Sequence, residues 1–252
     1  MIITNTAYFF KKIQKLSLVI ALLLLSVGSY AQYYSNKKFE NRNNPNYDER
    51  RRFSYGFLIG LHNSSYRVKY ADAYTSQGLD TLFSVEPSWT QGFVLGFIVN
   101  YRVNEFLDLR ITPQVGFYEH QLTYRYTKLA TNPPDNTQNI ETTMVELPFI
   151  AKYKSVRRGN IRMYMLGAIK PGFEAGGKKD LDAQQTRLTV REFNLALEGG
   201  FGFDLYYPLF KFSPEIRFSR GISNLLKDSN NPFGQPLQSI STNTITIYLL
   251  FQ

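Results

Sequence analysis

Residues 193–206 read Phe-Asn-Leu-Ala-Leu-Glu-Gly-Gly-Phe-Gly-Phe-Asp-Leu-Tyr, and no other stretch constrains the fold as tightly. Odd positions from Phe193 to Leu205, Gly199 excepted, are large and apolar. Even positions are Asn194, Ala196, Glu198, Gly200, Gly202, Asp204 and Tyr206. Side chains on a strand point alternately to opposite faces, so one face is greasy and the other carries acids and glycines. A soluble strand rarely sustains this over such a length. A strand that crosses a bilayer needs roughly 9–11 residues, and lipid outside with a polar lumen inside imposes this pattern.

Seven further segments repeat it. Phe53, Tyr55, Phe57, Ile59 and Leu61 oppose Ser54, Gly56 and Gly60. Trp89, Phe93, Leu95, Phe97, Val99 and Tyr101 oppose Thr90, Gly92, Gly96 and Asn100. The same alternation runs through 107–117, 143–153, 162–174, 210–218 and the closing stretch with Ile245, Ile247, Leu249 and Phe251. Eight segments is an even number, as single-chain bacterial outer-membrane barrels have. A closed barrel is also one of two ways to satisfy a backbone in hydrocarbon. The expected fold is therefore all-β, an eight-stranded antiparallel transmembrane barrel over 53–252, multi-pass in the outer membrane with lipid as its surroundings.

The first 31 residues read as a cleaved secretory signal peptide. Lys11, Lys12 and Lys15 flank an apolar run from Leu16 to Val27, and Ser29-Tyr30-Ala31 offers a small-x-small cleavage site. The run is too short for a spanning helix, which takes about 20 residues. Residues 32–52, ending in Arg50-Arg51-Arg52, read as a polar, basic N-terminal arm in the periplasm, either a plain leader or a docking segment. Cysteine is absent, which excludes a disulfide framework, a thiolate metal site and a lipoprotein anchor. Removing the three signal lysines from 29 bases leaves 26 against 20 acids, a net charge of +6. That charge is spread through strands and turns rather than gathered on a stripe, so no nucleic-acid partner is expected. A mean hydropathy of −0.28 does not oppose a barrel, because half of every strand is polar.

Connection lengths point the same way. Those at about 102–106, 155–160 and 207–209 are short, with Asn104, Gly159-Asn160 and Pro208 as turn residues. Those at about 68–88, 125–141, 175–192 and 219–243 are long. Strict alternation of long and short is the outer-membrane arrangement, with tight periplasmic turns and both termini periplasmic. Aromatics fall at two levels, Tyr55, Tyr101, Tyr153, Tyr164 and Tyr207 at one rim and Trp89, Phe117, Phe173 and Phe193 at the other.

Eight strands enclose a lumen that side chains can fill. By parity the inward acids are Glu146, Glu174, Glu198, Asp204 and Glu215, and the inward bases are Arg110, Lys152, Arg162, Lys170, Lys211 and Arg217. Unpaired buried charge costs several kcal/mol, so near-balance predicts a mutually paired plug rather than a conducting pore. Inward Gly56, Gly60, Gly92, Gly96, Gly116, Gly200 and Gly202 are expected to make room for long charged neighbours.

Small barrels that modify lipid A need a tuned nucleophile or base at the outer leaflet. The two histidines are not expected to supply one: Ser64 and Ser65 follow His62 on the same strand, and Glu119, adjacent to His120, points to the opposite face. Gly199-Gly200-x-Gly202 resembles a phosphate loop only faintly, since no helix follows. No catalytic residue, metal-ligand spacing, cofactor or small-molecule substrate is expected. Pro113, Pro148, Pro171 and Pro214 interrupt strands and are expected at bulges or strand ends. The first three, on neighbouring strands, predict a weak side of the barrel where a partner docks.

Asn44-Pro45-Asn46-Tyr47-Asp48-Glu49-Arg50-Arg51 with Tyr55-Gly56-Phe57 and Leu58-Ile59-Gly60 resembles the start of the mature PorT proteins of Bacteroidetes, called SprT in gliding species. Val145-Glu146-Leu147-Pro148-Phe149, Lys152-Tyr153-Lys154, Arg162-Met163-Tyr164 and Lys170-Pro171-Gly172 are similar to that family's central strands. The resemblance implies an integral outer-membrane component of the type IX secretion system, working with its other components to export proteins that bear a C-terminal signal. It implies no catalytic residues. The rival expectations are a general surface barrel for adhesion or membrane integrity, and a lipid-A-modifying enzyme.

Overall fold

The computed structural model describes residues 51–71, 82–126, 137–176, 188, 190–227 and 236–252. The signal segment and the arm up to residue 50 lie outside the described residues. Within them the chain is all strand and turn, with no helix. Eleven strands form: β1 (Phe53–Tyr70), β2 (Leu82–Ser88), β3 (Thr90–Arg102), β4 (Leu107–Ile111), β5 (Gln114–Tyr126), β6 (Thr137–Glu146), β7 (Phe149–Lys154), β8 (Ile161–Glu174), β9 (Phe193–Tyr206), β10 (Lys211–Gly221) and β11 (Leu237–Phe251). They make eight staves, because β2 and β3, β4 and β5, and β6 and β7 continue one another end to end. Every stave pairs antiparallel with its sequence neighbour, and β1 pairs with β11 to close the wall.

The pairings define the barrel's stagger. Traced around the wall, Tyr55 pairs Val99, then Ile111, Phe149, Ile169, Leu197, Arg220 and Asn243, and returns to β1 at Ser65. The circuit is displaced by ten residues, from 55 to 65. At about 3.3 Å per residue against eight inter-strand spacings of about 4.8 Å, this tilts the staves by about 40°. The interior is then just wide enough to be filled by side chains.

Outward residues across the middle of the wall are apolar and exposed, among them Phe57, Leu95, Phe97, Met165, Phe201 and Ile247. Toward the long-connection end the alternation continues with its sense reversed. On β1, Tyr66 and Val68 face in and Arg67 and Lys69 face out; on β5, Leu122 and Tyr124 face in and Thr123 and Arg125 face out. The inward set joins Val85, Val190, Leu225, Leu226, Leu237 and Ile240 in an apolar cluster. The reversal marks where the surroundings change from hydrocarbon to water: a wall standing in water buries its grease inside. The long connections expected from 68 and 125 therefore begin later, since β1 runs to Tyr70 and β5 to Tyr126.

The short connections are closed locally. Asn104 Oδ1 accepts from the amides of Phe106 (2.9 Å) and Leu107 (2.7 Å), and Gly159 takes a φ of +60°, which favours glycine. Tyr55, Tyr153 and Tyr207 are exposed at this end, and Trp89, Phe117, Phe173 and Phe193 at the other. Tyr164 is not part of the rim. Its even position on β8 turns it into the lumen, where it is buried.

Pro113 and Pro148 fall at the breaks between β4 and β5 and between β6 and β7, as expected. Pro171 and Pro214 instead lie inside β8 and β10. An antiparallel hydrogen-bonded pair exchanges two bonds, and a proline can only accept. The amides of Phe97, Thr112 and Leu147 donate to the carbonyls of Pro113 (2.9 Å), Pro148 (3.2 Å) and Pro171 (3.0 Å). Each pair lacks the return bond, so three adjoining seams share one weak level. A hydrogen bond contributes about 1 kcal/mol. Amides of Phe97, Thr112 and Leu147 are therefore expected to exchange about fivefold faster than those of Ile59 and Leu249 across the barrel. Equal protection in micelles would remove the weak side.

Candidate functional site

Among the described residues the lumen is where polar and charged side chains gather, and it is built from the inward positions of every stave. Its centre is a chain of alternating charge. Arg110 from β4 meets Glu215 from β10. Arg217, two positions along the same inward face, grips Glu215 through Nε at 2.8 Å and Nη2 at 2.5 Å. Arg217 Nη1 lies 3.7 Å from Glu198 on β9, Glu198 lies 3.1 Å from Lys170 on β8, and Lys170 lies 3.3 Å from Glu146 on β6. Three bases and three acids thus alternate without a break. β4 belongs to the third stave and β10 to the seventh, so the Arg110–Glu215 pair spans the barrel across its diameter.

Neutral groups complete the coordination. Tyr164 Oη donates to Glu215 at 2.6 Å, Tyr118 Oη to Glu146 at 2.9 Å, and Gln114 Nε2 to Glu146 at 2.7 Å. The Arg217 guanidinium lies 4.2 Å from the centre of the Tyr248 ring. Inward glycines are what admit these rings. A Cβ on Gly202 would lie 2.6 Å from Tyr164 Oη, and one on Gly116 would lie 2.6 Å from Tyr118 Cε2. The room expected for charged side chains therefore goes largely to aromatic ones, which carry the hydroxyls that cap the acids.

A second layer lies toward the short turns. Lys152 Nζ sits 2.8 Å from both oxygens of Asp204 and 3.6 Å from the centre of the Tyr164 ring. Ser213 also donates to Asp204, at 2.6 Å. Lys154 pairs with Asp108 at 2.5 Å, and the Arg157 guanidinium stacks 3.9 Å from the Tyr206 ring centre. Arg162 and Lys211 are buried at the same end. Asp108, Lys154 and Arg157 are not among the inward charges expected from strand parity. Extending the inward parity by one step at Lys154, and reading Asp108 with Arg110, would have found two of the three. Glu174 is the outlier in the other direction: it is half-buried at the outer end of β8, beyond the chain that stops at Glu146.

The histidines lie above the central chain. His62 stacks on Tyr118 with ring centres 4.2 Å apart, and His120 stacks on Tyr66 at 4.0 Å. Neither contacts a carboxylate or hydroxyl in a nucleophile–base geometry, and Glu119 points to the outer face. Among the described residues no three metal-binding side chains converge.

A closed wall with an apolar belt, rims of aromatics and an ion-filled interior defines an integral β-barrel of the outer membrane. The model of the outer membrane protein beta-barrel domain family matches residues 26–227, and the chain belongs to that family. Among solved structures it is similar to Neisserial surface protein A, at 10% identity over 79% of this chain and 97% of that one, with a TM-score of 0.41. It is similar also to the outer membrane protein OprG from Pseudomonas aeruginosa, at 12% identity over 81% and 97%, TM-score 0.42. A third is Ail, the attachment invasion locus protein of Yersinia pestis, at 11% identity over 78% and 96%, TM-score 0.27. No curated protein matches the chain.

Proposed function

We propose that this barrel is a non-catalytic component of the type IX secretion system, supporting export of proteins with a C-terminal signal by holding or assembling other components. The export role rests on the resemblance of residues 44–60 and 145–172 to the PorT and SprT proteins. The observation that carries the supporting role, rather than that of the conduit, is the Arg110–Glu215 pair across the diameter. A polypeptide cannot thread a lumen bridged by a fully desolvated ion pair without breaking it, and stranding a buried charge costs about 3–5 kcal/mol. The short turns and both ends of the chain face the periplasm in this reading, so partners meet the barrel from that side or within the bilayer.

Deleting the gene tests the reading. Cargo bearing the C-terminal signal is expected to disappear from the culture medium and accumulate in the periplasm. Full-length protein supplied in trans is expected to restore export. Intact export with altered adhesion would replace the reading with a surface barrel, and an altered lipid A mass spectrum would replace it with an enzyme.

A further inference from the structure

Charges on the outside of the wall, above the apolar belt at the long-connection end, are sorted by side. Arg67 and Lys69 face out on β1, and Arg220 faces out on β10. With β11 between them, these strands are three consecutive staves of the closed wall. Among the described residues none of the three bases has an acidic partner, and no acid faces out on these staves. Farther round the wall the sign changes. Glu119 on β5 stands directly opposite Glu141 on β6, both exposed, and Glu86 on β2 is taken up by Arg125 at 3.0 Å.

The register fixes how the bases stand to one another. Arg220 pairs with Asn243, and Asn243 with Ser65, two residues before Arg67. Two inter-strand spacings of about 4.8 Å and two residues of about 3.3 Å put the backbones of Arg220 and Arg67 about 12 Å apart. Lys69 is the next outward position beyond Arg67. Below them, toward the middle of the wall, Leu61, Phe218, Ile245 and Ile247 face out and are exposed. Trp89, the single tryptophan of the chain, faces out on the neighbouring stave. The residue after it, Thr90, pairs with Ser64, so Trp89 stands close to the level of Arg67.

We propose that Arg67, Lys69 and Arg220 form a site for an anionic, phosphate-bearing lipid in the leaflet that meets this end. A lipid is the occupant this surface fits, because the two halves of such a molecule find their partners side by side. The bases stand at the water's edge for the phosphate, and the apolar belt beneath them takes the acyl chains. A soluble anion would meet the bases alone. Arginine forks bind phosphate in a bidentate manner, and basic side chains near a membrane surface attract anionic lipid. Glu119 and Glu141 repel the same headgroup, so the lipid is held on one side of the barrel. The inference draws on the wall alone and is independent of the export role.

The test uses the mature full-length chain in phosphatidylcholine vesicles and reads the quenching of Trp89 by lipid brominated on its acyl chains. Brominated phosphatidic acid is expected to quench at mole fractions about tenfold lower than brominated phosphatidylcholine, a preference that shrinks with added sodium chloride. The triple replacement Arg67→Gln, Lys69→Gln and Arg220→Gln is expected to bring the two lipids within about twofold of each other. Glu119→Gln is expected to leave the preference in place. The preference and its salt dependence are read on the unmodified barrel as well, so they stand even if the triple variant fails to fold. Equal quenching by the two lipids overturns the proposal. So does a preference that survives the triple replacement. Inorganic phosphate that abolishes the preference where sodium chloride of equal ionic strength does not would make this a site for free anions, and overturns the lipid assignment.

Discussion

Glu215→Leu is expected to destabilise the barrel by about 3–5 kcal/mol, because it strands two buried guanidinium groups that share one carboxylate. Arg110 and Arg217 are 1% and 0% exposed, and Glu215 also accepts from Tyr164. Arg217 would keep only its longer contact with Glu198, at 3.7 Å, and Glu198 and Asp204 already pair with Lys170 and Lys152. The loss would appear as a lower urea midpoint for reversible unfolding in micelles. A triple replacement, Arg110→Met, Glu215→Leu and Arg217→Met, is expected to recover most of it, since buried triads exchanged for apolar groups of similar volume are often neutral or stabilising. A single substitution as harmless as the triple would mean that water reaches this level of the lumen.

The second large effect lies on the opposite face of the wall. Leu95 sits midway along β3 between Trp89 and Tyr101, the aromatics at its two rims, and its side chain faces out. Leu95→Arg is expected to cost about 2–4 kcal/mol, and Tyr101→Arg no more than about 1 kcal/mol, because the penalty for a lipid-facing cation falls with distance from the midplane. Equal and small costs at both depths, measured by unfolding from lipid vesicles, would place this face in water.

The alternation that makes the wall legible in sequence is imposed by two solvents, and it is readable only while those solvents stay put. From Phe193 to Tyr206 hydrocarbon lies on one side and the lumen on the other, and the strand bounds follow from the residues alone. Past Asn63 on β1 the outer solvent becomes water and the pattern inverts, so the alternating segment is legible only to Leu61 and a loop is expected from 68. Tyr66, Leu122 and Ile240, which form the apolar cluster at that end, were hidden by this inversion. The lumen shows a different limit. Parity identifies Glu215 and Arg110 as inward, but which residues meet depends on the ten-residue stagger of the closed wall, and that quantity is not local to any strand. Tyr164 illustrates both points: read as a rim aromatic, it is an inward hydroxyl that caps Glu215, admitted by the glycine opposite it at position 202.

The prolines separate what composition can and cannot say. Pro113 and Pro148 divide their staves into two strands each, as a missing donor suggests. Pro171 leaves β8 unbroken, its pairing with β9 running without a gap from Ile161 to Phe173. Their alignment across β3 to β8 emerges from register alone.

A sealed interior is the claim on which the account stands, and planar-bilayer recording of the unmodified mature chain tests it most directly. After insertion has been verified by resistance to carbonate extraction, the account predicts a membrane that stays at baseline conductance in molar salt at either polarity. A stable, ohmic conductance step from each inserted molecule would contradict it.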